Sequence, residues 1–135
     1  RGEEIKLPSG RLIKPDEVVG PARSGRKIVY TGDTRPFDGL VEFAAGADLL
    51  IHDATFADDL TEKAKEDGHS TPNQAAENAR KAEVKQLVLT HISARYDNTS
   101  LLLEEAQKIF KNTKVAKDFM EIEIPLHDDG EGLSK

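Results

Sequence analysis

The sequence predicts an α/β protein with a mainly parallel sheet flanked by helices. Three observations carry this. Short β-branched and aromatic runs alternate with longer stretches whose apolar residues recur at helical spacing. Leu49-Leu50-Ile51 is a continuous apolar run, as a strand covered on both faces would be. Thr71-Pro72-Asn73-Gln74 is a strong helix start, with a capping Thr, Pro at the first helical position and Gln to close a capping box. Strands alternating with helices imply crossover connections and parallel pairing.

Each element follows in order. Residues 1–25 hold Pro8, Pro15 and Pro21 among scattered charge. They read as loop or linker with at most one short strand, around Arg11–Ile13. Lys27 to Thr31 is a β-branched and aromatic strand stopped by Gly32. Asp38 to Ala45 is a short helix with Gly46 as its stop. Asp48 to Ile51 is the second strand, and Asp58 to Glu66 an exposed helix ending at Gly68. The helix from Thr71 runs to about Glu83, and its Ala75, Ala76, Ala79 and Ala82 face allows close packing on a sheet. Gln86 to Thr90 is the third strand. A helix opens at Asn98 or Thr99 and runs to about Lys111, with Leu102, Ala106, Ile109 and Phe110 at helical spacing. Lys114–Ala116 and Met120–Ile124 read as short closing strands. The acidic tail, 126–135, reads as disordered. The main body is expected over 26–125.

Composition excludes some functions. A chain of 135 residues suits one small domain with one core. With no cysteine, neither disulfides nor thiolate metal sites are possible, and a reducing, cytoplasmic setting fits. No apolar run approaches the roughly 18 residues of a membrane span, so no membrane role is expected. The net charge of −6 argues against a surface devoted to phosphate binding, which draws on Lys and Arg. A chain that opens on Arg1 reads as a processed product, a fragment or a piece of something longer.

Polar residues gather where the strands end. The first strand leads into Thr31-Gly32-Asp33-Thr34, the second into His52-Asp53-Ala54-Thr55-Phe56, and the third into Thr90-His91-Ile92-Ser93-Ala94-Arg95-Tyr96. Gly68-His69-Ser70-Thr71 sits just before the capped helix. In parallel sheets, sites form outside the carboxyl ends of the strands. Histidine nitrogen and carboxylate oxygen are the usual zinc ligands when cysteine is absent, and a carboxylate can bridge two cations. Taken singly, each residue also has a structural reading. Asp33 and Asp53 suit turns or caps, His69 could order a helix start, His91 could be a rim histidine and Arg95 a surface ion pair. Their coincidence on one rim favours a His/Asp metal site. His127 lies in the tail and receives no role, and that of His52 stays open.

At this point the sequence resembles a known family. Gly25-Arg26-Lys27-Ile28-Val29-Tyr30-Thr31-Gly32-Asp33-Thr34-Arg35-Pro36 is similar to the aspartate motif of ribonuclease Z, the tRNA 3′-processing endonuclease of the metallo-β-lactamase fold. Ala47 to Phe56 resembles its strand-end acidic motif, Gly68-His69-Ser70-Thr71 its His-Ser-Thr motif, and Leu89 to Tyr96 its final histidine motif. The motifs stand in family order over roughly residues 18–125. The first is weak by itself. The His-Ser-Thr motif with Thr90-His91-Ile92-Ser93-Ala94-Arg95-Tyr96 is much more specific.

The resemblance implies half of a metallo-β-lactamase αββα sandwich, the C-terminal half of a zinc-dependent endoribonuclease acting on precursor tRNA. It implies that Asp33 bridges two zinc ions and His91 ligates one of them. Asp53 and His69 would form the pair that protonates the leaving 3′ oxygen, and Arg95, Ser93 and Thr71 would support the substrate. Arg26, Lys27 and Arg35 are weaker candidates for RNA contact. The family's His-x-His-x-Asp-His motif is absent from these 135 residues. The metal site is therefore expected to be incomplete and the isolated chain inactive. The partners implied are precursor tRNA, the missing N-terminal half and, in the complete protein, a second copy in a homodimer. A half-fold would expose the sheet face that meets its other half. A non-catalytic half-domain, or another metallo-hydrolase of the same fold, are the alternatives.

Overall fold

The structure, a computed structural model, describes residues 2–18 and 25–126. The chain divides into two units, residues 26–125 and residues 1–25 with 126–135. In the smaller unit, β1 (Ile5–Lys6) and β2 (Leu12–Ile13) pair antiparallel, and α1 (Pro15–Val18) follows. The turn closes through Gly10 N–H to the Leu7 carbonyl at 2.9 Å, with Gly10 at φ +84°. Pro8-Ser9-Gly10 is turn chemistry, so over residues 2–18 the expected loop with at most one strand is instead a hairpin and a short helix, and residues 1 and 19–24 of that segment lie outside the described residues. His127 and the expected disordered tail from 127 onward lie outside the described residues.

The larger unit is built on four parallel strands in chain order: β3 (Ile28–Tyr30), β4 (Leu49–Asp53), β5 (Leu87–Thr90) and β6 (Thr113–Val115). Between them run α2 (Gly39–Ala44), a 3-10 turn at Asp58–Leu60, α3 (Thr61–Asp67), α4 (Pro72–Lys81) and α5 (Ser100–Ile109). Register aligns Val29 with Leu50 and Leu87, and His52 with Leu89 and Val115. Alternation puts these residues on one face. There they share a core with Leu40 and Ala44 of α2, Ala75, Ala76 and Ala79 of α4, and Ala106 of α5. The alanine face of α4 is wholly buried, and its small side chains let the helix lie close to the sheet.

On the other face, Ile28 and Tyr30 of edge strand β3 are 56% and 66% exposed. Leu49 and Val88, farther into the sheet, are buried. The face is therefore covered at Leu49 and Val88 and open at its edges, at Ile28 and Tyr30 of β3 and Lys114 of β6. The second closing strand does not form. Met120–Ile124 alternates like a strand, but its backbone is held by Met120 N–H to the Lys117 carbonyl and by the Arg26 guanidinium donating to the Ile124 carbonyl. A strand needs a ladder partner as well as a pattern.

Candidate functional site

The β4–β5 register sets Asp53 level with Thr90, so the residues after both strands emerge together. His91 follows with φ +58°, a left-handed conformation uncommon outside glycine. It turns the ring back toward β4. At the other approach, α3 ends on Gly68 with φ +88°, and the His69 N–H closes the turn on the Ala64 carbonyl at 2.7 Å. Only a residue without a β-carbon takes that cap at no cost. The capping box expected at Thr71 and Gln74 is present.

Asp53 is fully buried and organises the site. Its Oδ2 accepts the Thr34 N–H at 2.9 Å and His69 Nδ1–H at 2.8 Å. Its Oδ1 accepts the Thr55 N–H at 2.9 Å and the Thr55 hydroxyl at 2.7 Å. Burial pushes its carboxyl up, but the bonds from His69, Thr55 and Thr34 outweigh burial and hold it below the ordinary 3.8. Asp53 is thus an ionised acceptor with its lone pairs occupied. Asp53, His69 and His91 each offer a donor atom within 4.8 Å of one another. With four hydrogen bonds already on its carboxylate, Asp53 serves better as the orienting partner of His69 than as a cation ligand.

The proton bookkeeping fixes the His91 tautomer. The Thr55 hydroxyl gives its one proton to Asp53, so its 2.8 Å contact with His91 Nδ1 requires the ring to donate. The neutral ring then turns the bare Nε2 toward Asp33 Oδ2, 3.2 Å away. Two acceptors facing each other need a cation, either a second ring proton or a metal ion. Ligand atoms at zinc's usual bond lengths in a tetrahedral shell stand about 3.3 Å apart. Asp33 and His91 fit two corners of such a shell, and both side chains are about half exposed, as open ligands must be. Two ligands do not complete one.

The His69 and His91 rings stack at 4.9 Å between centroids, and Phe56 meets His69 edge-on at 6.1 Å. Arg95 lies over the Phe56 ring at 4.9 Å and Lys63 at 5.3 Å, which sets two cations beside His69. Ser70, fully buried, donates to the Thr34 carbonyl at 2.6 Å and ties the Gly-Asp-Thr loop to the His-Ser-Thr loop. The Tyr96 hydroxyl accepts the Ala57 N–H at 2.8 Å, joining the loops after β4 and β5.

Asp33, Asp53, His69, His91 and Arg95 therefore come together as the sequence suggested. Thr71 does not join them. It is 1% exposed, and its hydroxyl and N–H are engaged with Gln74 in the capping box, so it builds the helix start and does not face a substrate. Ser93 is half-buried, and its backbone holds the loop through the Thr55 carbonyl and the Tyr96 N–H. Thr55 was missed as a site residue. Its signal was a hydroxyl two positions after a strand-end aspartate, a common local hydrogen-bonding arrangement.

A β-lactamase superfamily domain matches residues 15–92. Ribonuclease Z of Archaeoglobus fulgidus is 57% identical over 125 residues, which span 92% of this chain and 40% of that protein. Ribonuclease Z of Gemmatimonas aurantiaca is 54% identical over 130 residues, covering 96% and 41%. The chain thus spans about 40% of the length of these curated relatives. Among solved structures, human tRNase Z, short form, superposes with a TM-score of 0.61 at 39% identity, covering 85% of this chain and 37% of that one. The metallo-β-lactamase fold protein YhfI from Bacillus subtilis gives 0.61 at 31% identity, covering 67% and 36%.

Proposed function

We propose, since the chain belongs to the β-lactamase superfamily, that it is the C-terminal part of a zinc-dependent endoribonuclease that removes the 3′ trailer from precursor tRNA. The observation that carries this is the run of contacts from Asp53 through His69 to the stacked His91 and on to Asp33, along one rim. It sits in a chain more than half identical to proteins named ribonuclease Z.

Asp33 and His91 would hold the metal, together with ligands from the rest of the polypeptide. When bound, zinc supplies the positive charge that activates water and neutralises the phosphodiester. The chain's own residues supply the rest. Asp53 fixes His69 with Nδ1–H inward, so His69 Nε2 is the atom that presents a proton to the leaving 3′ oxygen. The Thr55 hydroxyl holds the His91 ring with Nε2 outward. Arg95, packed on Phe56 beside His69, offers a planar donor fork to a phosphate. The products would be a tRNA with a free 3′ hydroxyl and a 5′-phosphorylated trailer.

The isolated chain would be inactive, because two ligands leave the zinc shell open. The complete protein would work in the cytoplasm as a homodimer. Asp33→Ala in the complete protein tests the reading. Cleavage of precursor tRNA should disappear and bound zinc should fall, while the fold stays intact because Asp33 is exposed. Cleavage at the wild-type rate would overturn the assignment.

A further inference from the structure

His52 is fully buried on the helix-covered face of β4, and the proposed chemistry does not use it. Its Nδ1 lies 2.8 Å from the carbonyl oxygen of Asp53, an acceptor, so Nδ1 carries the proton. Its Nε2 therefore accepts, from the Asn78 side-chain amide at 3.0 Å. Asn78 is itself buried, on α4. The ring thus joins the strand that ends in Asp53 to the helix that begins three residues after His69. The other end of Asp53 is held by the Thr31 hydroxyl, which accepts its N–H at 3.2 Å. Thr55, Thr34 and His69 then meet its carboxylate.

We infer that His52 is a positioning residue, which sets the Asp53 carboxylate against His69 by clamping the Asp53 peptide to α4. The inference rests on the proposed endoribonuclease reading for its kinetic consequence, but not for its geometry. The backbone sets where the Asp53 side chain starts, and its four hydrogen bonds can hold the carboxylate against His69 only from that position. The peptide after Asp53 has two anchors, the Ala54 N–H to the Thr90 carbonyl at 3.0 Å and the His52 ring. Without the ring, one anchor remains. A carboxylate and a histidine must align closely for proton transfer, so a small rotation is costly. The role needs a donor at the Nδ1 position. Asparagine places its amide nitrogen on the same γ-carbon, whereas leucine fills the space and donates nothing.

The test uses the complete polypeptide as wild type, His52→Leu, His52→Asn and Asn78→Ala, with crystal structures and cleavage kinetics below every variant's Tm. In His52→Leu the 2.8 Å contact between His69 Nδ1 and Asp53 Oδ2 should open beyond about 3.5 Å. Its kcat should fall about 10- to 100-fold with KM unchanged, as is usual when a supporting partner is lost. His52→Asn should restore kcat to within a few-fold of wild type. Asn78→Ala, which frees the far side of the ring, should show the same defects more weakly and carries the test if His52→Leu does not fold. An unmoved contact, an unchanged kcat in the loss variants, or His52→Asn no better than His52→Leu overturns the inference. If wild type does not cleave precursor tRNA, the functional reading fails. The crystallographic distances then decide the positioning role alone.

Discussion

His69 Nδ1 stands 2.8 Å from Asp53 Oδ2, although the residues are sixteen apart and lie on separate elements. Asp53 ends a strand, and His69 follows the left-handed cap of α3. The contact fixes which ring nitrogen faces inward and leaves Nε2 as the atom that the proposed proton transfer would use.

Asp53→Asn probes that contact directly. Four donors converge on the carboxylate, and asparagine would turn an NH2 against two of them. Cleavage by the complete protein should fall by about 10²- to 10⁴-fold, the range for a lost proton-transfer group. His69→Ala should do the same, and the double variant should be little worse than either single one. Additive losses in rate assays would show that the two do not act together.

Thr55→Val keeps the shape and removes the hydroxyl between Asp53 and His91. It should destabilise the fold by about 1–3 kcal/mol, because the buried Asp53 loses one of its donors. Zinc affinity of the complete protein should drop about 10- to 100-fold as His91 loses its orienting partner. Thr55→Ser should restore most of both. Denaturant melts and competition with a zinc chelator would read the two effects separately.

Arg95→Ala should raise KM more than it lowers kcat, because in the proposed reading the guanidinium, packed on Phe56, binds a phosphate and takes no part in the proton transfer. A lost charged hydrogen bond costs about 1.5–3 kcal/mol, on the order of tenfold to a hundredfold in KM. Arg95→Lys should recover only part of this, since it lacks the planar fork. A fall in kcat alone, measured by steady-state kinetics, would place Arg95 in the chemistry itself.

His52 and Asp53 both contribute to the acid limb of stability. Burial lowers His52 below the ordinary 6.5, with its bond to the Asp53 carbonyl and the Asp53 charge opposing only in part. As pH falls through 6.5 the unfolded chain takes up a proton that the folded chain refuses, so stability declines toward acid. One such proton is worth up to about 1.4 kcal/mol per pH unit. His52→Leu should flatten that slope in denaturation measured from pH 7.5 to 5. Asp53 acts lower down. Its folded value lies below 3.8, so its stabilisation is present above that pH and is lost as pH falls through the folded value. An unchanged slope in His52→Leu would mean that His52 is charged in the fold.

What the sequence by itself determined was local. Strand and helix alternation, the capping box of Thr71 and Gln74, the stop at Gly68 and the placing of Asp33, Asp53, His69 and His91 at element ends all follow from short-range periodicity and turn chemistry. The tertiary structure decided what depends on partners distant in sequence. The β4–β5 register brings Thr55 beside His91 and sets His52 on the helix-covered face, where it meets Asn78, while Met120–Ile124 finds no ladder partner. Packing also buries Thr71 at its helix start, which keeps it from facing a substrate. Register is a relation between two strands, and a hydrogen-bond partner is chosen by the packed core. Neither is written in either segment alone.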